Sequence, residues 1–435
     1  MSAKRKVLHK NAFACLVFLP FWGVSYSLSF FYLGLYFREF GVSDAQLGLL
    51  VTAGAGASIV FSFLAAPIVN RLGRRRATLI FDLLGTALPF LIYALHGSFV
   101  FALAGTILSN ASRVTNIGYY LLMTEDSGNG ERADAFNIFN IIIIASGLFV
   151  PVAGSFVARA GLVRAERVFL FVSAAVIAGA AFGRNHFAVE TAAGKAMIEK
   201  TKIGKGKIGK GRAAILGSYE AALRFIRADR AAAAAVAANV LFYVYYLVGT
   251  NSSLYFAPFF ADALGMDASL VSIVGALYSG GTLFAMLFLN PPLFRRLGPA
   301  RCTVFGAALN MAGFIPLVFL RRAAPVWVMG AVLVSSVGFG MLKSAIDAAL
   351  ATCSGDISSG EGLSAGEEAR AGIYSIANLA SSALGMGAGA LCSLFYPSLP
   401  RFIPLISIAI LALIAGLLLR ANRPASQSAF SRRMS

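Results

Sequence analysis

Four ionisable side chains interrupt the apolar runs of this chain: Asp82, Arg113, Lys343 and Asp347. A charge in hydrocarbon is costly, so such groups face a bundle interior or a wet cavity, where they act on solutes or ions. Arg113 and Lys343 stand 230 positions apart. Two opposed cations suit an anionic or strongly polar solute. Lys343 and Asp347 are spaced i, i+4, so they can also neutralise each other on one helix face. A carboxylate in such a place feels two influences: desolvation favours its proton and a nearby cation opposes it. Asp347 is therefore the candidate coupling group. Asp82 lies about two helical turns beyond a basic turn and reads as an anchor for Arg74, Arg75 or Arg132.

Aromatic and amide side chains form a second set. Trp22 and Tyr26 are one turn apart in one apolar run. Asn239, Tyr243, Tyr246 and Thr250 recur at helical spacing in another. Such stripes can stack on a sugar ring or another flat face while their polar ends hydrogen-bond. They serve equally well as packing or as interfacial belts.

The elements that must hold these residues are membrane helices. Of the 435 residues, 58% are hydrophobic and 13% charged, with a mean hydropathy of +0.77. A water-soluble domain could not hide that much apolar surface. A crossing helix needs roughly 20 apolar residues. Twelve runs qualify, near 11–37, 46–69, 77–95, 98–123, 134–158, 166–183, 232–261, 268–290, 302–320, 325–351, 371–395 and 402–419. The first is too long for a secretory leader and reads as a retained span. The expected fold is therefore all-α: two six-helix bundles at 1–183 and 231–420, a basic linker at 184–230 and a tail at 421–435.

Charge orients this layout. With both termini cytoplasmic, inside segments hold 28 Lys and Arg and outside loops hold seven. This satisfies the positive-inside rule and makes anionic inner-leaflet lipids a partner; the absence of organelle signals fits a bacterial plasma membrane. The net charge of +18 thus needs no nucleic acid to explain it. Within the linker, Lys-Ile-Gly-Lys-Gly occurs at 202 and again at 207, a low-complexity basic repeat. Leu216, Tyr219, Leu223 and Ile226 then share one face, as in a short interfacial helix. Cys15, Cys302, Cys353 and Cys392 show no pairing pattern and read as buried thiols. No nucleophile, metal-ligand or nucleotide-binding pattern is visible, so neither an enzyme nor a cofactor is expected.

Short stretches repeat between the halves. Asn70-Arg71-Leu72-Gly73-Arg74-Arg75-Arg76 returns 225 positions later as Arg295-Arg296-Leu297-Gly298-Pro299-Ala300-Arg301. Glu131-Arg132-Ala133, with Asn140 and Gly147, is echoed at an offset of 238 by Arg370-Ala371, Asn378 and Gly385. A doubled half with a basic turn in each copy is how many secondary transporters are built. The two turns resemble the signature loop of the major facilitator superfamily, Gly-x-x-x-Asp-Arg-x-Gly-Arg-Arg. Asn70 replaces the usual aspartate, Ala66 the opening glycine, and Arg295 stands where the second acid would be. Arg113, with Asn116 and Gly118, resembles the same family's Arg-x-x-Gln-Gly pattern, its glycine one place late.

The resemblance implies a cavity lined by the first, fourth, seventh and tenth helices that opens alternately to each side. It places Arg113, Lys343, Trp22, Tyr26, Asn239, Tyr243 and Tyr246 toward a small-molecule substrate, with Asp347 coupling a proton or sodium ion. Asn70, Arg71, Gly73, Arg74, Arg132, Arg296, Gly298 and Arg370 would form a cytoplasmic gate, closed by nearby acids such as Glu125, Asp126, Glu131, Asp356 and Glu361. The expected protein is a monomeric secondary transporter for a polar solute, a sugar or organic anion. Drug–proton antiport is an alternative, opposed by the cationic pair. A non-transporting membrane sensor or scaffold is another.

Overall fold

The computed structural model describes residues 9–127, 129–203, 220, 223–224, 226–228, 230–320, 324–356 and 363–421, and among these there are helices and no strands. In lipid every backbone N–H and C=O must be satisfied within its own segment, which leaves helices as the natural solution for such apolar runs. Among the described residues eleven helices are long and apolar enough to cross a membrane: Lys10–Glu39, Asp44–Ala65, Arg74–Leu95, Ile138–Ala160, Leu162–Phe187, Ala232–Gly249, Ala268–Phe294, Arg301–Phe319, Pro325–Ile346, Ile376–Phe395 and Phe402–Arg420. The remaining crossing is the fourth. It breaks at Asn110 into Phe99–Ser109 and Ser112–Thr124, so neither piece is long enough alone. Twelve spans result, as the apolar runs foretell. Large apolar side chains stand on the outside of these helices: Val326 and Trp327 are 79% and 73% exposed.

Asn11, Gly73, Glu125 and Val189 gather on one face, here the hinge face. Asn11 Nδ2 donates to Asp126 at 3.4 Å, and Asn11 Oδ1 accepts from the Val189 N–H at 2.9 Å. The opposite, far face carries the Phe40–Ser43 and Gly265–Asp267 turns. The first and seventh spans are irregular there in the same way. The helix Lys10–Phe30 gives way at Phe31–Tyr32 to the short Leu33–Glu39. Arg230–Gly249 gives way through Thr250–Tyr255 to Phe256–Leu264. Pro89 and Pro151 each follow an irregular turn, the π-turn Leu83–Ala87 and the 3-10 turn Gly147–Phe149, where a missing N–H is tolerated.

The halves meet through small residues. A Cβ on Gly48 would overlap the Ser393 backbone, and one on Gly389 would overlap Thr52. These contacts join the second and eleventh spans, as the glycine content of both suggests. Gly147 and Gly154 admit Ser279 and Ser272 in the same manner between the fifth and eighth spans. Cys15, Cys302 and Cys392 are buried and free.

Two boundaries differ from the expected layout. The sixth span runs on to Phe187, four residues beyond 183, because Arg184 is buried and paired inside the bundle. The start of the linker is also packed: a helix, Ala192–Ile203, lies against the second span. The Lys/Gly repeat beyond Ile203, Leu216 and Tyr219 fall outside the described residues.

Candidate functional site

Arg113 opens the second piece of the broken fourth span, where the chain leaves and re-enters helical order. Its Nη1 donates to the Tyr243 hydroxyl of the other half at 2.8 Å, and the guanidinium also lies over the Tyr243 ring, 5.3 Å from its centroid. Tyr246, one turn on, accepts from Ser252 Oγ at 2.8 Å and stacks on Phe339 of the tenth span. Both Arg113 and Lys343 lie within electrostatic reach of the Tyr246 phenol. From the first span, Trp22 stacks on Tyr26 and Tyr26 on Phe30, each pair with centroids 5.0 Å apart. Arg113, Trp22, Tyr26, Asn239, Tyr243, Tyr246 and Lys343 are all half-buried. The side chain of Asp347, one turn beyond Lys343, lies outside the described residues.

Beside this cluster, toward the hinge face, is a hollow of ≈ 60 Å³ under Trp22, lined by Cys15, Asp82, Thr115, Asn116, Tyr119 and Arg184. Here one expectation is corrected. Among the described residues Asp82 pairs with neither Arg74 nor Arg75; its Oδ2 takes Arg184 Nη2 at 2.7 Å, both side chains buried, with the guanidinium over the Tyr119 ring. The partner was missed because Arg184 follows an apolar run and reads as the first linker residue. Only the extension of the sixth span carries it inside.

The basic turn at Gly73 is organised within its own half. Gly73 adopts φ 84°, a conformation L side chains rarely take. This frees the N–H groups of Arg74 and Arg75, which donate to the two Glu190 carboxylate oxygens at 2.9 and 3.0 Å. A carboxylate at a helix N-terminus is favoured by orphan N–H groups and by the helix dipole. Glu190 was invisible to motif reading, lying over a hundred residues away. Arg74 grips Glu125 through Nε and Nη2, the closest contact being 2.8 Å. Its Nη1 reaches Asn70 Oδ1 at 3.3 Å, so asparagine still accepts where the family's aspartate would. Arg71 is exposed. Gly298 repeats the Gly73 conformation at φ 76°, with Arg296 exposed beside it. The side chains of Arg132 and Arg370, and the acids Asp356 and Glu361, lie outside the described residues.

On the far face a knot joins the halves. Arg38 Nη1 meets Asp262 Oδ2 at 2.7 Å and its Nε meets Asp44 at 3.2 Å. The buried Tyr396 hydroxyl donates to the same Asp262 oxygen at 3.0 Å, and Tyr255 donates to the Asp44 carbonyl. These residues sit at helix ends, where a sequence scan expects solvated charge.

The whole-chain comparison decides the family. The family model described as Major Facilitator Superfamily matches residues 13–366. The chain belongs to the Major Facilitator Superfamily. It is an integral membrane protein with a secondary-transporter fold, and the doubled bundle, the paired turns and the half-to-half contacts are that fold's parts. Among solved structures it is similar to the xylose transporter XylE from E. coli, at 13% identity over 96% of this chain and 99% of that one, TM-score 0.66. It is similar to a POT family transporter in complex with a thioalcohol conjugated peptide, at 15% identity over 94% and 96%, TM-score 0.68. The nucleoside transporter NupG (D323A mutant) is similar at 12% identity over 95% and 100%, TM-score 0.64. At such identities these likenesses speak for the fold alone. No curated protein matches the sequence.

Proposed function

We propose that this superfamily member moves a small polar solute, a sugar or an organic anion, across a bacterial plasma membrane by alternating access, coupled to a proton or sodium gradient. The carrying observation is the bond from Arg113 to Tyr243 across the halves, with Lys343 near the same tyrosine pair. A guanidinium resting on a phenol is a donor held by a weak, exchangeable acceptor, and a carboxylate, phosphate or hydroxyl-rich solute offers better ones. Trp22 and Tyr26 supply a flat wall for a ring, and Asn239 an amide. That the similar structures include transporters of xylose, nucleosides and peptides fits a polar solute and does not choose among them. In this reading both termini are cytoplasmic, the basic hinge face meets anionic lipid, and the protein works as a monomer. The gate set Asn70, Arg71, Gly73, Arg74, Arg132, Arg296, Gly298 and Arg370 shapes the cytoplasmic side, and Asp347 serves coupling.

The test is a thermal-shift screen of purified protein against sugars and organic anions, since a solute that binds the folded state raises its stability by mass action. A hit should weaken about 10–100-fold in Arg113→Ala and less in Tyr243→Phe, from the loss of a charge-assisted bond of roughly 1.5–3 kcal/mol. A hit indifferent to both Arg113→Ala and Lys343→Ala rejects this site.

A further inference from the structure

At the far-face end of the sixth span, Glu166 is 0% exposed, and neither carboxyl oxygen has a hydrogen-bond partner among the described residues. Its neighbour Arg167 does not serve it, since that guanidinium lies over the Phe40 ring at 5.3 Å. The other acid buried among the described residues of this half, Asp82, holds an arginine at the far end of the same helix, about 27 Å away at 1.5 Å per residue. The elements packed on the sixth span bring Tyr32 and Tyr36 from the first, Tyr93 and His96 from the third and Arg159 from the fifth. Its own helix adds Arg164 and Arg167. Of these, Tyr32 and Tyr36 lie within electrostatic reach of Glu166. Tyr36 spends its hydroxyl on the Tyr93 carbonyl, and Tyr32 spends its own on the Ala268 carbonyl of the other half. Tyr32 also feels Asp267 across that junction. Glu166 is thus an unpaired carboxyl one tyrosine away from the contact that closes the far face.

We infer that Glu166 is a proton-binding site linked to the far-face closure: it holds a proton while the halves meet at Tyr32–Ala268 and releases it to water when they part. An ionised carboxylate without a partner costs far more in a dry interior than in water, and the group becomes neutral instead. A protonated carboxyl is tolerated there, and no counter-cation is required. Parting the halves at Tyr32 admits water, the anion is solvated, and the O–H bond breaks with the proton passing to that water. Linkage then fixes the sign. The closed form binds the proton more tightly than the open one, so raising pH drives the far face open. The inference does not rest on the substrate reading: it needs no solute and stands if Arg113 binds nothing.

The experiment uses full-length protein in sealed vesicles. Ser272→Cys places an isosteric thiol against Gly154 at the closed junction, and labelling by a membrane-impermeant maleimide, normalised to denatured protein at each pH, reports opening. Labelling should rise as pH is raised, by up to about tenfold per pH unit for one linked proton. In Glu166→Gln, which mimics the protonated form, it should stay low and flat. Infrared difference spectra, native minus Glu166→Gln, should show one protonated-carboxyl C=O band that is lost in the variant. Several outcomes overturn the proposal: a pH profile unchanged by Glu166→Gln, absence of the carboxyl band, or labelling that follows sodium at fixed pH. Failure of Glu166→Gln to fold also overturns it, since an amide replaces a neutral carboxyl at equal size but cannot replace a needed anion.

Discussion

Removing Asp262 should loosen the far face by an amount the local geometry sets. Its Oδ2 is shared by Arg38 at 2.7 Å and by the Tyr396 hydroxyl at 3.0 Å. The ionic part is modest. Arg38 and Asp262 are 30% and 26% exposed, and Arg38 keeps Asp44 as a second partner, so the pair contributes about 0.5–1 kcal/mol. The hydroxyl part is larger. Tyr396 is fully buried, and a buried donor left without an acceptor costs about 1–3 kcal/mol. Asp262→Asn keeps an oxygen for Tyr396 and loses only the charge. It should shift the closed-to-open ratio about two- to fivefold. Asp262→Ala loses both, roughly 1.5–4 kcal/mol, or about 10–1,000-fold. Arg38→Gln should match the asparagine variant and add little to it in a double-mutant cycle.

The readout is labelling of Ser272→Cys from the far side, with a spin-label distance across the halves as the independent measure. The order alanine, then asparagine, then native is the signature. If asparagine opens the protein as far as alanine does, the buried tyrosine contributes nothing and the reasoning from burial fails. If neither variant differs from native, the knot does not hold the halves at all.

Three further outcomes follow from single sites. Gly73→Ala should cost more than Gly298→Ala, by denaturation in detergent: both sit at positive φ, but a Cβ at 73 would also strike the Glu190 carboxylate at 2.5 Å, while none lies within 4 Å at 298. Arg184→Met should destabilise by about 3–5 kcal/mol by leaving Asp82 buried and unpaired, and adding Asp82→Leu should recover much of that; a double variant as unstable as the single would refute pairing as the cause. Asp267 caps the eighth span, accepting from the Leu270 N–H at 2.9 Å and from Ser269, and these bonds hold its carboxyl below the usual range. Its contribution of about 1 kcal/mol is therefore present above the unfolded carboxylate value and lost as pH falls below about 4, so acid should lower the melting temperature less in Asp267→Ala than in native protein.

What could be read from the chain divides along physical lines. Span number and doubling were legible because lipid imposes a minimum apolar length and a charge bias, and both survive in one dimension. Even the fourth span, broken at Asn110, betrayed itself by apolarity. The cluster around Arg113 was legible because a charge inside an apolar run is conspicuous. Its bond to Tyr243 was not, since nothing in the chain says which rotamers meet across 130 residues. Asp82 shows the same limit: its need for a cation was evident, but Arg184 looked like solvent-exposed linker. Glu166, Arg38 and Asp262 were passed over because they stand at span ends, where charge is ordinary until burial or pairing is seen.

The way the halves touch bears on how they can part. Gly34 meets the Leu254 carbonyl, Gly48 meets Ser393, Gly154 meets Ser272, and Gly147 meets Ser279. Elsewhere on the seam larger rings cross, Phe31 packing on Gly275 and Phe256, but these four junctions rely on many shallow dispersion contacts between small groups. They can separate without rotamer changes and re-form without a search. The polar bonds across the same seam end in groups that water can satisfy: Tyr255 with the Asp44 carbonyl, Ser393 with the Ala45 carbonyl, Tyr32 with the Ala268 carbonyl. Each therefore contributes only about 0.5–1.5 kcal/mol net to the closed form. A seam of this kind leaves the closed and open forms within a few kcal/mol of each other, where one proton, one ion pair or one bound solute can choose between them. A seam locked by buried charge pairs like Asp82–Arg184 would be far harder to open. In this chain that pair lies inside one half, and the weaker bonds lie between the halves.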